Sequence, residues 1–175
     1  FDVVTNDLQI YIPVLEKSTI VVDLQTSDAI VKKKGETDYN TLLNEIRDPN
    51  LAKSQQQINS NGTATFLGGG DRLRAYPQGR FQGAHMLYFA TEFRWNFSES
   101  GGGQFDSLFF QDLVDDMQIA LFYENGSISE EKSELGKISK SSFGTGFRLV
   151  NASGNIYRAD LASGDEGTNF TLIIQ

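Results

Sequence analysis

Ala84-His85-Met86-Leu87-Tyr88-Phe89-Ala90-Thr91-Glu92-Phe93-Arg94-Trp95-Asn96-Phe97 alternates without a break. His85, Leu87, Phe89, Thr91, Phe93, Trp95 and Phe97 share one face, and Met86, Tyr88, Ala90, Glu92, Arg94 and Asn96 share the other. A period of two belongs to a β-strand, whose successive side chains leave opposite sides. Aromatic rings on one side, with a carboxylate and a guanidinium on the other, imply two different solvents. Phe93, Trp95 and Phe97 gather toward one end, as an aromatic girdle does at lipid headgroups.

The same alternation recurs on both sides of this run. Leu8, Ile10, Ile12 and Val14 oppose Gln9 and Tyr11, and Ile20, Val22 and Leu24 oppose Val21, Asp23 and Gln25. Met117, Ile119, Leu121 and Tyr123 oppose Gln118, Ala120, Phe122 and Glu124. Phe143, Thr145, Phe147 and Leu149 oppose Gly144, Gly146, Arg148 and Val150; Tyr157, Ala159 and Leu161 oppose Arg158 and Asp160. Phe170, Leu172 and Ile174 share the final face. Seven strands follow, antiparallel if joined by hairpins. Turn residues stand at Leu15-Glu16-Lys17, Ala152-Ser153-Gly154-Asn155 and Ser163-Gly164-Asp165-Glu166-Gly167, and longer loops at 98–116 and 129–140. Short turns alternating with long loops are the connection pattern of an outer-membrane barrel.

Residues 31–83 break the rhythm and read as one long loop. It opens on Lys32-Lys33-Lys34-Gly35 and carries a helical pattern from Tyr39 to Ile46, with Leu42, Leu43 and Ile46 on one side. Asp48-Pro49 stops that helix, and polar residues run on through Asn61-Gly62. The loop ends in Gly68-Gly69-Gly70-Asp71-Arg72-Leu73-Arg74-Ala75-Tyr76-Pro77-Gln78-Gly79-Arg80-Phe81. Arg74 is the principal candidate here. A guanidinium keeps its charge and offers a rigid fork of donors, so inside a protein it needs carboxylates. Alternation puts Glu92 and Glu124 on the inward face, where they are available to it.

Leu73-Arg74-Ala75-Tyr76 resembles the Val-Arg-Gly-Phe/Tyr motif of the inward-folded loop in the BamA/TamA superfamily of outer-membrane barrels. A second family signature, Phe/Gly-x-Asp-x-Gly, is matched by Phe122-Tyr123-Glu124-Asn125-Gly126. In the family its acid grips the loop arginine from the barrel wall. Two departures stand out: Glu124 replaces Asp, and Ala75 replaces Gly, which matters only where that backbone position needs a positive φ. Tyr157-Arg158-Ala159-Asp160-Leu161-Ala162 with Gly164-Asp165-Glu166-Gly167 resembles the penultimate hairpin of these barrels. The resemblance spans residues 8–175, the last seven strands of a sixteen-strand barrel. It implies that Arg74, Tyr76, Glu92, Glu124 and Gly126 form a loop latch. It also implies that the last strand, with Phe170, Leu172 and Ile174, meets the first at a weak seam. Family members end in an aromatic residue, whereas this chain stops at Gln175, so a few residues are expected beyond it. Phe1 follows no initiator Met or leader, which reads as a mature product or C-terminal fragment.

Bulk numbers narrow the rest. In 175 residues, 39% are hydrophobic and 22% charged, and no apolar run approaches the ~20 residues of a membrane-spanning helix. A formal charge of −8 excludes nucleic acid as the main partner, because no basic face is left to neutralise phosphates. With no cysteine and a single histidine, His85, there is no material for a zinc site or a Ser-His-Asp triad. Gly68-Gly69-Gly70 lacks the Gly-Lys-Ser/Thr of a phosphate loop and reads as a hinge. Asp112, Asp115 and Asp116 lack calcium-loop spacing and read as solvated acids.

The expectation is an all-β fold: 1–175 as an antiparallel transmembrane β-barrel segment of the bacterial outer membrane. It is expected to be non-catalytic, without cofactor or metal. Its partners would be outer-membrane lipid, substrate outer-membrane or secreted polypeptides, and other chains or an N-terminal half completing the barrel. Insertase, polypeptide transporter and anchor of a patatin-like lipase all fit. The rivals are a small channel or adhesin barrel, and a soluble sandwich binding carbohydrate through Trp95 and Tyr88.

Overall fold

The computed structural model describes residues 1–35, 38–97, 114–151 and 154–174. Seven strands form one antiparallel sheet in chain order: β1 (Asp2–Leu15), β2 (Ser18–Ile30), β3 (His85–Asn96), β4 (Val114–Ser129), β5 (Lys140–Asn151), β6 (Ile156–Gly164) and β7 (Gly167–Ile174). The seven alternating segments of the sequence are these strands. Every sequential pair is antiparallel, and the sheet is open, with β1 and β7 as its edges.

The strands run further than the apolar alternation shows. β1 begins six residues before Leu8, at Asp2, and β4 begins at Val114, inside the stretch read as a loop from 98 to 116. Polar residues such as Asp7 and Gln25 extend the ladder because the backbone pairs there whatever the side chain (Asp7 lies opposite Gln25). Residues 98–113, Asp112 among them, lie outside the described residues, as do Ala152 and Ser153 of one expected turn. The turn between β1 and β2 is Glu16-Lys17, with Lys17 at φ 67°. Asp165-Glu166 joins β6 to β7.

Between β2 and β3 the chain leaves the sheet. Helix α1 (Tyr39–Ile46) lies where the pattern of Leu42, Leu43 and Ile46 predicts it, capped by Asp38, whose carboxylate accepts the Thr41 N–H. A second helix, α2 (Pro49–Asn61), occupies the polar stretch that follows, for which the sequence pattern gives no helix of its own. Asp48-Pro49 ends one helix and starts the next. The Asp48 carboxylate accepts from the Asn50 and Leu51 N–H groups, and Pro49 occupies the first turn, where its missing donor is not needed. α1 and α2 pack on each other, with Leu42 and Ala52 buried.

The two faces of the sheet differ completely. One face carries the end of the excursion, residues 63–84, and is here termed inner. The core lies between this loop and the sheet: Leu67, Leu73, Tyr76 and Phe81 from the loop pack on Met86, Tyr88, Phe122 and Ala162. Space for the loop comes from small residues along the inner rungs. Opposite neighbours run Ala90–Glu124–Ser142–Gly164 on one rung and Phe122–Gly144–Ala162 on the next. The outer face is bare. Phe89, Trp95, Ile119, Leu121, Tyr123, Phe143, Phe147, Tyr157, Leu161, Phe170, Leu172 and Ile174 are all exposed there, and on β1 so are Leu8, Ile10, Ile12 and Val14. No second sheet covers it among the described residues.

Candidate functional site

Leu73 sets the loop's geometry. Its backbone is left-handed, φ 50°, a conformation that costs an L-residue about 1–2 kcal/mol. The residue is wholly buried in the core, which holds the turn in place. The next residue, Arg74, thereby turns both its backbone and its side chain toward β4. Its N–H donates to Glu124 Oε2 at 2.7 Å and its Nε to Glu124 Oε1 at 2.9 Å. Nη2 reaches Glu92 Oε2 on β3 at 3.0 Å, and Nη1 reaches Asp160 Oδ2 on β6 at 3.2 Å. The guanidinium carbon lies 3.4 Å from the Phe122 ring centroid, a cation–π contact in a desolvated setting.

All four ionic groups are buried, with side-chain exposures of 4% for Arg74, 8% for Glu92, 0% for Glu124 and 1% for Asp160. Moving such ions out of water costs several kcal/mol each, so the arrangement persists only because its donors and acceptors are matched. Burial alone would lower the arginine pKa; the carboxylates of Glu124, Glu92 and Asp160 outweigh it and hold that pKa above its ordinary value. The charge is permanent. Glu124 also accepts from the Tyr88 hydroxyl at 2.8 Å. Glu92 takes Arg94 Nε and Arg148 Nη2, both at 2.6 Å, and Asp160 takes Arg158.

Of the residues expected to form a latch, the structure brings Arg74, Glu92 and Glu124 into direct contact. Tyr76 stands beside them, fully buried: its hydroxyl donates to the Ser141 carbonyl, accepts from the Asp165 N–H, and its ring meets Phe81 edge-on at 5.0 Å. Gly126 is required by space, since a Cβ there would lie 2.5 Å from Leu67 Cδ1 and 3.2 Å from Leu73 Cδ1. The two departures from the motif pattern fit locally. Ala75 does not have a positive φ, and its N–H donates to Ser142 Oγ at 3.0 Å. Glu124 is long enough to bind the Arg74 backbone and side chain together. Phe170, Leu172 and Ile174 lie on the outer face of edge strand β7, away from the latch.

Sequence reasoning missed several participants. Asp160 supplies the third carboxylate; its alternation placed it inward, but nothing local identified its register. Gly146 faces it, where a Cβ would come within 2.4 Å of its carboxylate. Tyr88, Ser142 and the ring of Phe122 were equally unmarked. So was Asn169 on β7, which donates from Nδ2 to the Arg74 carbonyl at 2.9 Å. Taken together, the loop is hydrogen-bonded to all seven strands. Thr65 pairs with Thr5 on β1 and Ser27 on β2, Arg72 with Gln25 on β2, and Arg74 and Ala75 with β3 through β7. Outside this strap, Arg80 pairs with Glu166 in the β6–β7 turn at 2.8 and 3.0 Å, and His85 Nδ1 lies 2.6 Å from Asp28.

Arg74 ties three strands, β3, β4 and β6, to one loop through charge-assisted bonds, and no cluster of three or more metal-ligating side chains occurs among the described residues. No protein-family model, curated protein or solved structure matches the chain.

Proposed function

We propose that this chain is part of an outer-membrane β-barrel of the BamA/TamA type, non-catalytic, acting in the insertion or transport of polypeptides. The outer face carries the reading. A sheet with large apolar side chains exposed along all seven strands has no aqueous explanation at that extent, since soluble monomers keep such patches to a few hundred Å². Lipid is the solvent that suits it. The inner face, by contrast, is polar and ionic, as a barrel interior is. The sheet's free edges at β1 and β7 call for further strands, supplied by other parts of the protein or by other chains. The Leu73-Arg74-Ala75-Tyr76 and Phe122-x-Glu124-x-Gly126 resemblances support the superfamily.

In this reading the loop is a brace, hydrogen-bonded to every strand of the half-barrel, with the buried Arg74 at its centre. The edge strand β7, paired with β6 on one side and joined to the loop by Asn169 at the Arg74 carbonyl, would form the weak seam where an incoming strand pairs by β-augmentation.

Membrane fractionation with heat-modifiable gel mobility, on the full-length protein and its Arg74→Ala variant, tests this. Recovery in the outer membrane as a compact, heat-sensitive form supports the barrel, and loss of that form in the variant supports the brace. Recovery of a monomer from the aqueous fraction without detergent sinks the proposal.

A further inference from the structure

On the inner face, Arg148 of β5 lies directly opposite Arg158 of β6. Like charges in that position destabilise an antiparallel pair unless something compensates them. The compensation is shared among the arginines rather than one to one. Arg148 relies on Glu92, which also serves Arg74 and Arg94, and Arg158 relies on Asp160, which also serves Arg74. Glu124, the remaining buried acid, is committed to Arg74 and Tyr88. Four guanidiniums thus share three buried carboxylates.

Below the latch, Arg94, Arg148 and Arg158 converge on a cavity of about 330 Å³, also lined by Gln118, Asp116 and Val150. Among the described residues Asp116 is the one carboxylate on its wall, and it accepts from Asn96 Nδ2 at 3.3 Å. Arg94 makes its hydrogen bond through Nε, and neither of its terminal nitrogens has a partner among the described residues. Arg158 likewise uses Nε and Nη2, leaving Nη1. Glu92 holds Arg94 by its Nε and Asp160 holds Arg158 by its Nε and Nη2, so both side chains are fixed at the cavity wall before any ligand arrives. Planar guanidinium forks match the two-oxygen edge of a phosphate or carboxylate better than they match a spherical ion.

We propose that this cavity is an oxyanion-binding site, with Arg94 and Arg158 as the donors and Arg148 as the supporting charge. It is built within a single sheet and does not depend on the barrel reading. Phosphate binding by a water-soluble protein would leave it standing while sinking that reading.

Isothermal titration of the purified full-length protein with inorganic phosphate, against sodium chloride of equal ionic strength, tests the site. Saturable one-site binding is expected, at least tenfold weaker in Arg94→Gln and unchanged in Lys132→Gln, whose charge lies on Asp28 away from the cavity. Arg94→Lys keeps the charge but loses the fork, and an intermediate loss is expected; a β-sheet circular dichroism spectrum equal to that of the wild type verifies that each variant is folded. A parallel titration with acetate separates the sources: competition by acetate points to a polypeptide carboxylate, and its failure to compete points to a phosphate. Absence of saturable binding by either ion, or equal affinity in Arg94→Gln and wild type, overturns the proposal.

Discussion

Arg74 touches three carboxylates, yet they do not depend on it equally, and this inequality yields a quantitative prediction. Without Arg74, Glu92 keeps Arg94 and Arg148, and Asp160 keeps Arg158. Glu124 keeps no cation; it retains the Tyr88 hydroxyl and the backbone N–H of residue 74. The damage of Arg74→Ala therefore concentrates on one fully buried carboxylate. Removing one partner of a buried ion pair costs about 3–5 kcal/mol. Losing the cation–π contact with Phe122 adds up to about 2 kcal/mol. Against an ordinary domain stability of about 5–15 kcal/mol, that is enough to release the loop or abolish folding.

The inequality is read by two double-mutant cycles. Glu124→Gln, made in the Arg74→Ala background, removes the stranded charge and recovers about 2–3 kcal/mol, near the upper range of measured pairwise couplings. Asp160→Asn in the same background recovers about 1 kcal/mol or less, because Arg158 still neutralises that acid. The assay is equilibrium urea unfolding in detergent, followed through Trp95, the only tryptophan, with heat-modifiable mobility as a second reporter. Equal couplings at the two acids would refute the reasoning, and so would strictly additive losses in the Arg74–Glu124 cycle.

Other substitutions examine the remaining parts. Gly126→Ala should cost about 1–3 kcal/mol by overpacking against Leu67 and Leu73, and less in a Leu67→Ala background; equal costs in both backgrounds, from unfolding midpoints, would show that Leu67 is not the obstacle. On the outer face, Leu121→Arg should destabilise the lipid-embedded protein by about 2–4 kcal/mol if this position lies near the bilayer midplane, and an unaffected refolding yield into vesicles would count against lipid contact there. Glu166, at the β6–β7 turn, has its carboxyl held below the ordinary glutamate range by the Arg80 hydrogen bond. A depressed folded pKa gives stability that is complete above the unfolded value, about 4.3, and fades as pH falls through the folded one. The stability gap between wild type and Arg80→Ala should accordingly close in acid, and a gap that persists unchanged to pH 2 would assign Arg80 a role other than pairing.

How far the sequence could be read follows from the range over which each signal acts. Alternation is local, so it located all seven strands and sorted Glu92, Glu124 and Asp160 to the inner face. Strand ends were misjudged where polar residues pair on both sides, as at Asp7 opposite Gln25, because backbone pairing leaves no mark on composition. Asp48-Pro49 does end α1, but α2 went unread for a related reason: a proline that stops one helix is equally suited to begin another, and the polar α2 has almost no apolar stripe to reveal it. The site itself divides along the same line. Glu124 was legible because it lies in a short motif with Gly126, whose lack of a side chain has a local reason in Leu67 and Leu73. Asp160 was not, since its partnership with Arg74 spans 86 residues and depends on the registers of β4 with β5 and β5 with β6. A shift of one residue in either register would turn Asp160 toward the outer face and bring Tyr157 and Leu161 inward. The inner-face glycines resist that slip. Gly146 faces Asp160 and Gly144 faces Ala162, and bulkier neighbours sliding into those places would meet Phe122 and the Asp160 carboxylate. The buried charge and the small residues around it thus specify one register together, and the loop arginine is what makes that register the stable one.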